Sequence, residues 1–123
     1  MAKGALVFTW GSPVRGREMK ALEVFGESLT YYDSLAKAGQ IHGIRTYLAT
    51  SGDFSELAGM LVIDGEVDQL RALQSEPEYQ KNTLKAENIV DHLSIHVMNG
   101  GSPDDIQEPM GVFTEALGEL GIS

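Results

Sequence analysis

Four short stretches of alternating residues, interleaved with two helical stripes, leave this chain few ways to fold. Ala5 to Trp10 alternates, with Leu6, Phe8 and Trp10 on one face and Ala5, Val7 and Thr9 on the other, until Gly11-Ser12-Pro13 ends it. From about Arg17 to Ala38 the period lengthens to that of a helix. Leu22, Phe25, Leu29, Tyr32 and Ala36 recur at three- and four-residue steps, and Glu18, Lys20, Glu23, Glu27, Asp33 and Lys37 lie largely off that stripe. Gly39 stands where a left-handed residue closes a last turn. Gly26, inside the helix, costs about 1 kcal/mol relative to alanine and is expected to permit close packing.

Ile41 to Thr50 and Leu57 to Asp64 read as second and third strands, joined as a hairpin by the turn-rich Ser51–Glu56 segment. A second helical region runs from Glu66 to about Leu84, with Val67, Leu70 and Leu73 on its stripe, and Pro77 should divide it in two. Asn88 to Met98 is the fourth strand: Ile89, Leu93, Ile95 and Val97 on one face, Val90, His92, Ser94, His96 and Met98 on the other. The order β-α-β-β-α-β predicts an α+β domain, a four-stranded antiparallel sheet with both helices on one face. On the second strand His42, Ile44, Thr46, Leu48 and Thr50 oppose Ile41, Gly43, Arg45, Tyr47 and Ala49. On the third, Met60 and Val62 oppose Leu61 and Ile63. A sheet apolar on both sides, with helices for only one, calls for a second layer, most simply a second copy of the chain.

The chain has 123 residues, enough for one domain with a real core. Residues 1–100 are expected to form that domain and 101–123 a tail. In the tail Ser102-Pro103-Asp104-Asp105 has the makings of a helix start, and Met110, Phe113, Leu117 and Leu120 form a stripe that should dock on its own body or a partner subunit. Nine Lys and Arg against 18 Asp and Glu give a net charge of −9, which argues against nucleic acid or anionic membrane as the main partner. There is no cysteine, so disulfides, thiolate metal sites and cysteine nucleophiles are excluded. No stretch approaches a signal peptide's apolar region or a membrane span, and a cytoplasmic location is expected.

Over Ala5 to Met98 the element order and face pattern resemble those of the dimeric α/β-barrel superfamily, in which two ferredoxin-like subunits pack sheet against sheet. The segment Val7-Phe8-Thr9-Trp10-Gly11-Ser12-Pro13-Val14-Arg15-Gly16-Arg17-Glu18 also resembles that of uncharacterised bacterial proteins of this type. Members include cofactor-free monooxygenases, haem-binding enzymes, lactone isomerases, cyclases and proteins of no assigned activity. The resemblance implies a fold and a homodimer joined through its sheet faces, and no single reaction.

His92 and His96 are the catalytic candidates, because a neutral imidazole gives or takes a proton near pH 7. The alternative is structural, with both donating to backbone carbonyls or sitting in a dimer seam. Metal chelation by the pair is disfavoured, since four residues of strand span about 13 Å and zinc ligands converge at about 2 Å from one ion. Ser94 is a binding candidate, since no nucleophile elbow surrounds it. Arg45 and Tyr47 share a face of the second strand. The arginine either meets a carboxylate, grips an anionic ligand or reaches solvent from an edge. Trp10 lines an aromatic pocket or packs in a core or interface. Arg15 and Arg17, before the first helix, match no phosphate loop and either hold an anion there or pair with surface acids.

These residues support a homodimer whose sheets enclose a small, largely apolar pocket for an organic ligand, anchored by His92, His96, Arg45 and Tyr47, with no cofactor or metal called for. As an enzyme it would perform acid/base or cofactor-free oxygen chemistry on a small aromatic or carbonyl compound. Two other classes stay open: a non-catalytic binding or sensing module, and an interaction protein whose barrel is filled.

Overall fold

The computed structural model describes residues 2–122. Its elements run β1 (Lys3–Trp10), α1 (Glu18–Lys37), β2 (Gly43–Leu48), β3 (Gly59–Glu66), α2 (Val67–Leu73), α3 (Pro77–Glu87), β4 (Ser94–Asn99), a 3-10 turn (Pro103–Ile106) and α4 (Gln107–Glu119). The strands form one antiparallel sheet in the order β2-β3-β1-β4. Pro77 does divide the second helical region, as the first residue of α3.

Register sorts the two faces. Leu6 lies between Ile63 and Val97, and Phe8 between Leu61 and Ile95, all among the residues that pack with Tyr32 of α1, Leu70 and Leu73 of α2 and Tyr79 of α3. The opposite face carries three cross-sheet rows: Gly43-Asp64-Ala5-Met98, Arg45-Val62-Val7-His96 and Tyr47-Met60-Thr9-Ser94. No helix of the described residues covers those rows. Tyr47 and Met98 are about half exposed on that face, whereas central Val62 is buried by its strand neighbours.

Two expectations are corrected. Of the expected α1 stripe, Leu29, Tyr32 and Ala36 pack with the core and Phe25 meets Trp10, but Leu22 is 66% exposed, and Ala21, Val24 and Ser28 are buried beside them. The buried face therefore takes in the small Ala21 and Ser28 as well as the larger Val24 and Tyr32. Gly26 serves no close packing, for a Cβ there meets nothing within 4 Å.

Strand β4 is also shorter than its alternation suggested. Asn88 caps α3, Val90 makes an isolated bridge to Pro13, and His92 is left-handed at φ 57°. The backbone of 89–91 instead pairs with the turn after β1, through Val14 N to Ile89 O at 2.8 Å, Gly11 N to Asp91 O at 2.7 Å and Asp91 N to Ser12 O at 2.9 Å. A left-handed residue breaks the two-residue alternation, so His92 and His96 do not share a strand face.

The tail leaves the sheet at Gly100, whose N–H donates to Lys3 O at 2.8 Å. Asp105 accepts from the backbone N–H and hydroxyl of Ser102, and these bonds hold its carboxyl below the usual range. Helix α4 follows with Met110, Phe113 and Leu120 exposed, packing chiefly on the 3-10 turn before it.

Gly26→Ala should stabilise the protein by about 0.5–1 kcal/mol, since it adds helix propensity at an open position. Urea denaturation at unchanged m-value measures it.

Candidate functional site

The helix face of the sheet is incompletely filled. Because α1 presents Ala21 and Ser28 inward, it leaves space above β1 and β3, and a cavity of about 460 Å³ opens between the sheet, α1 and α3. This lies within the range typical of small-molecule sites. Trp10, Phe8 and Leu61 form its floor, Phe25 and Val24 its α1 wall, and Ala86, Ile89 and Leu93 its opposite side. Lining residues on α1 run from Glu18 to Tyr32, about 21 Å of helix. The exposed Glu18, Leu22 and Leu48 mark the mouth, and Tyr32, 1% exposed, marks the inner end.

Trp10 is set by its surroundings. Its indole meets the Phe25 ring edge-on, with centroids 5.7 Å apart. It also lies over Gly59, where an added Cβ would stand 2.6 Å from Cζ2. Polar groups gather at the inner end. Ser28 Oγ is 2.8 Å from Val24 O and 3.0 Å from Asn82 Oδ1. The Tyr32 and Thr83 hydroxyls are buried without a hydrogen-bond partner among the described residues. Burial, then the nearby Tyr79 and Tyr31, push the Tyr32 hydroxyl far above the ordinary tyrosine range, so it stays protonated.

Of the candidate site residues named from sequence, Trp10 alone lines this cavity. Arg45, Tyr47, Ser94 and His96 stand on the uncovered face. There Arg45 meets a carboxylate, with Nε and a terminal nitrogen each 3.0 Å from an oxygen of Asp64. That bond, the Asp64 charge and the nearby Tyr47 hold the guanidinium above its ordinary pKa. His92 lies apart in the loop before β4, its Nε2 3.8 Å from Glu56 Oε1. Arg17 donates to Asn88 O at 2.6 Å and ties the start of α1 to the end of α3. Among the described residues, no group of three or more His, Cys, Asp or Glu is placed to hold a metal ion, and no described helix is long and apolar enough to cross a membrane.

Sequence reasoning missed Ser28, Asn82 and Thr83. The signal available was Ser28 itself, a hydroxyl recurring with Ala21, Val24 and Tyr32 at helical steps.

Several solved structures resemble this one. A dimeric protein of unknown function and ferredoxin-like fold from Bacteroides fragilis superposes with a TM-score of 0.60 at 11% identity, covering 81% of this chain and 98% of its own. SnoaB, a cofactor-independent oxygenase from Streptomyces nogalater, gives 0.56 at 12%, covering 83% and 96%. The fold is ferredoxin-like. At such identities the likeness carries the fold and leaves the chemistry to the site. No protein-family model and no curated protein matches the chain.

If Gly59 is what seats the indole, Gly59→Ala should displace Trp10 and cost about 1–3 kcal/mol by overpacking. A red-shifted tryptophan emission with a lower Tm is the expected result, read cleanly because Trp10 is the sole tryptophan.

Proposed function

We propose that this ferredoxin-like chain is a small-molecule-binding protein whose ligand, an apolar aromatic or carbonyl compound, occupies the cavity between the sheet and helices α1 and α3. One observation carries the reading: a space of about 460 Å³ walled almost entirely by apolar side chains, with polar groups at one end. Naphthalene is a suitable probe. It should quench or shift Trp10 emission saturably at micromolar to millimolar concentration, and Ala86→Phe, which fills the cavity from α3, should abolish the effect. A wild-type protein showing no saturable response would overturn the proposal.

The second reading is catalytic. The likeness to a cofactor-independent oxygenase favours oxygen-dependent chemistry on such a ligand. His96 enters that reading as a proton carrier, with Arg45, Tyr47 and Ser94 as binding groups, only for a ligand held on the uncovered face, and His92, in the loop before β4, only for one that reaches past that face. Substituting both histidines by alanine should then abolish turnover and spare binding in the α1–α3 cavity. Turnover that survives both substitutions removes the histidines from the mechanism.

The uncovered face also supports a homodimer, because Ala5, Val7, Met60 and Met98 present apolar surface there without a helix over it. Light scattering at micromolar concentration should give twice the 13.3 kDa chain mass. Val7→Glu, which places a charge at the centre of that face, should return the protein to monomer.

A further inference from the structure

The inner end of the cavity differs in kind from the rest of its wall. Ser28 and Tyr32 of α1 and Asn82 and Thr83 of α3 stand within one stretch, while the floor and mouth are aromatic and aliphatic. Ser28 has one proton to give and two acceptors in reach, Val24 O and Asn82 Oδ1. The Asn82 amide carries two further donors. The Thr83 hydroxyl makes no bond even to the helix carbonyl one turn back, a usual partner for a helical threonine. A helical threonine divides between two χ1 rotamers that exchange hydroxyl and methyl, so Thr83 can turn its oxygen toward the cavity at small cost. Tyr32 lines the cavity one helical turn beyond Ser28, and its hydroxyl is buried without a partner among the described residues. A buried polar group left unpaired is destabilising, and the arrangement makes sense when something supplies the missing partner.

Charge narrows what that something is. The lining residues include no lysine, arginine or histidine, and the one charged side chain among them is Glu18 at the mouth. A carboxylate or phosphate would enter past a negative charge and meet no counter-charge inside, in a setting where an unpaired ion is strongly disfavoured.

Resting on the cavity as the ligand site, we propose that the Ser28-Asn82-Thr83-Tyr32 corner anchors a single oxygen of an otherwise apolar, uncharged molecule. The ligand class is a ketone, an aldehyde or a phenol, and the cavity rejects its carboxylate and phosphate analogues. The oxygen sits at the α1–α3 junction, and the apolar body runs over Trp10 toward the mouth.

Calorimetric titration with naphthalene, 2-naphthol and 2-naphthoate tests this on the intact chain. One hydrogen bond to a buried group corresponds to about a tenfold gain in affinity. Wild-type protein should therefore bind 2-naphthol about tenfold more tightly than naphthalene, and 2-naphthoate at least about tenfold more weakly than 2-naphthol. In Thr83→Val and Asn82→Leu the affinity for naphthalene should persist while the preference for 2-naphthol falls to about twofold or less. Tyr32→Phe should reduce the preference without lowering Tm, because it deletes an unpartnered hydroxyl. Persisting naphthalene binding shows that each variant keeps its cavity. Failure of naphthalene to bind wild-type protein would overturn the cavity reading itself. Naphthalene binding with no preference for 2-naphthol, with equal binding of 2-naphthoate, or with a preference intact in every variant overturns the anchor alone.

Discussion

The ladder between β1 and β3 is the member from which the rest of the structure hangs. It sets Leu6 opposite Ile63 and Phe8 opposite Leu61 on the helix side, and in the same register Val7 opposite Val62 on the other. A slip of one residue would exchange the two faces and bring Ala5, Val7 and Thr9 under the helices. It also ends by pairing Trp10 with Gly59, which lets the indole approach the β3 backbone where a side chain would displace it. Core, cavity floor and uncovered face are thus three results of one pairing.

Much of this was legible in the sequence because it depends on periodicity. Alternation in Ala5–Trp10, the helical steps of 17–38 and the proline at 77 identify the elements, and their order leaves the ferredoxin-like arrangement. Other features were not legible, for physical reasons. The left-handed backbone at His92 belongs to a residue with no glycine signature, and it is held by hydrogen bonds to the turn after β1, distant in sequence. The hydrophobic residues of 88–98 still alternate, but the chain does not run as a strand until Ser94.

The site was legible less fully than the fold. Trp10, for which pocket lining and core or interface packing were both open, lines the cavity, whereas the other candidates lie on the sheet's far side or in the loop before β4. A void is a property of side-chain volumes across several elements, here the small Ala21 and Ser28 facing Phe8 and Leu61, and no local pattern announces it. The chemistry-bearing residue types that attract attention in a sequence, histidine and arginine, are absent from the cavity wall. What equips that wall is hydroxyls and an amide, residue types common enough to pass unnoticed.

The central position of β1 has a consequence for how the chain is made. Of the four strands of the sheet, β1 comes first in chain order, and it pairs with β3 on one side and β4 on the other, so its last partner lies almost at the other end of the domain. Loop closure over that distance is entropically costly, and sheets built on such long-range contacts fold slowly. Until Ser94–Asn99 has been synthesised, one edge of an apolar strand stays open to wrong partners, including β1 of a neighbouring nascent chain. The same strand that organises the finished protein is its most vulnerable segment during synthesis.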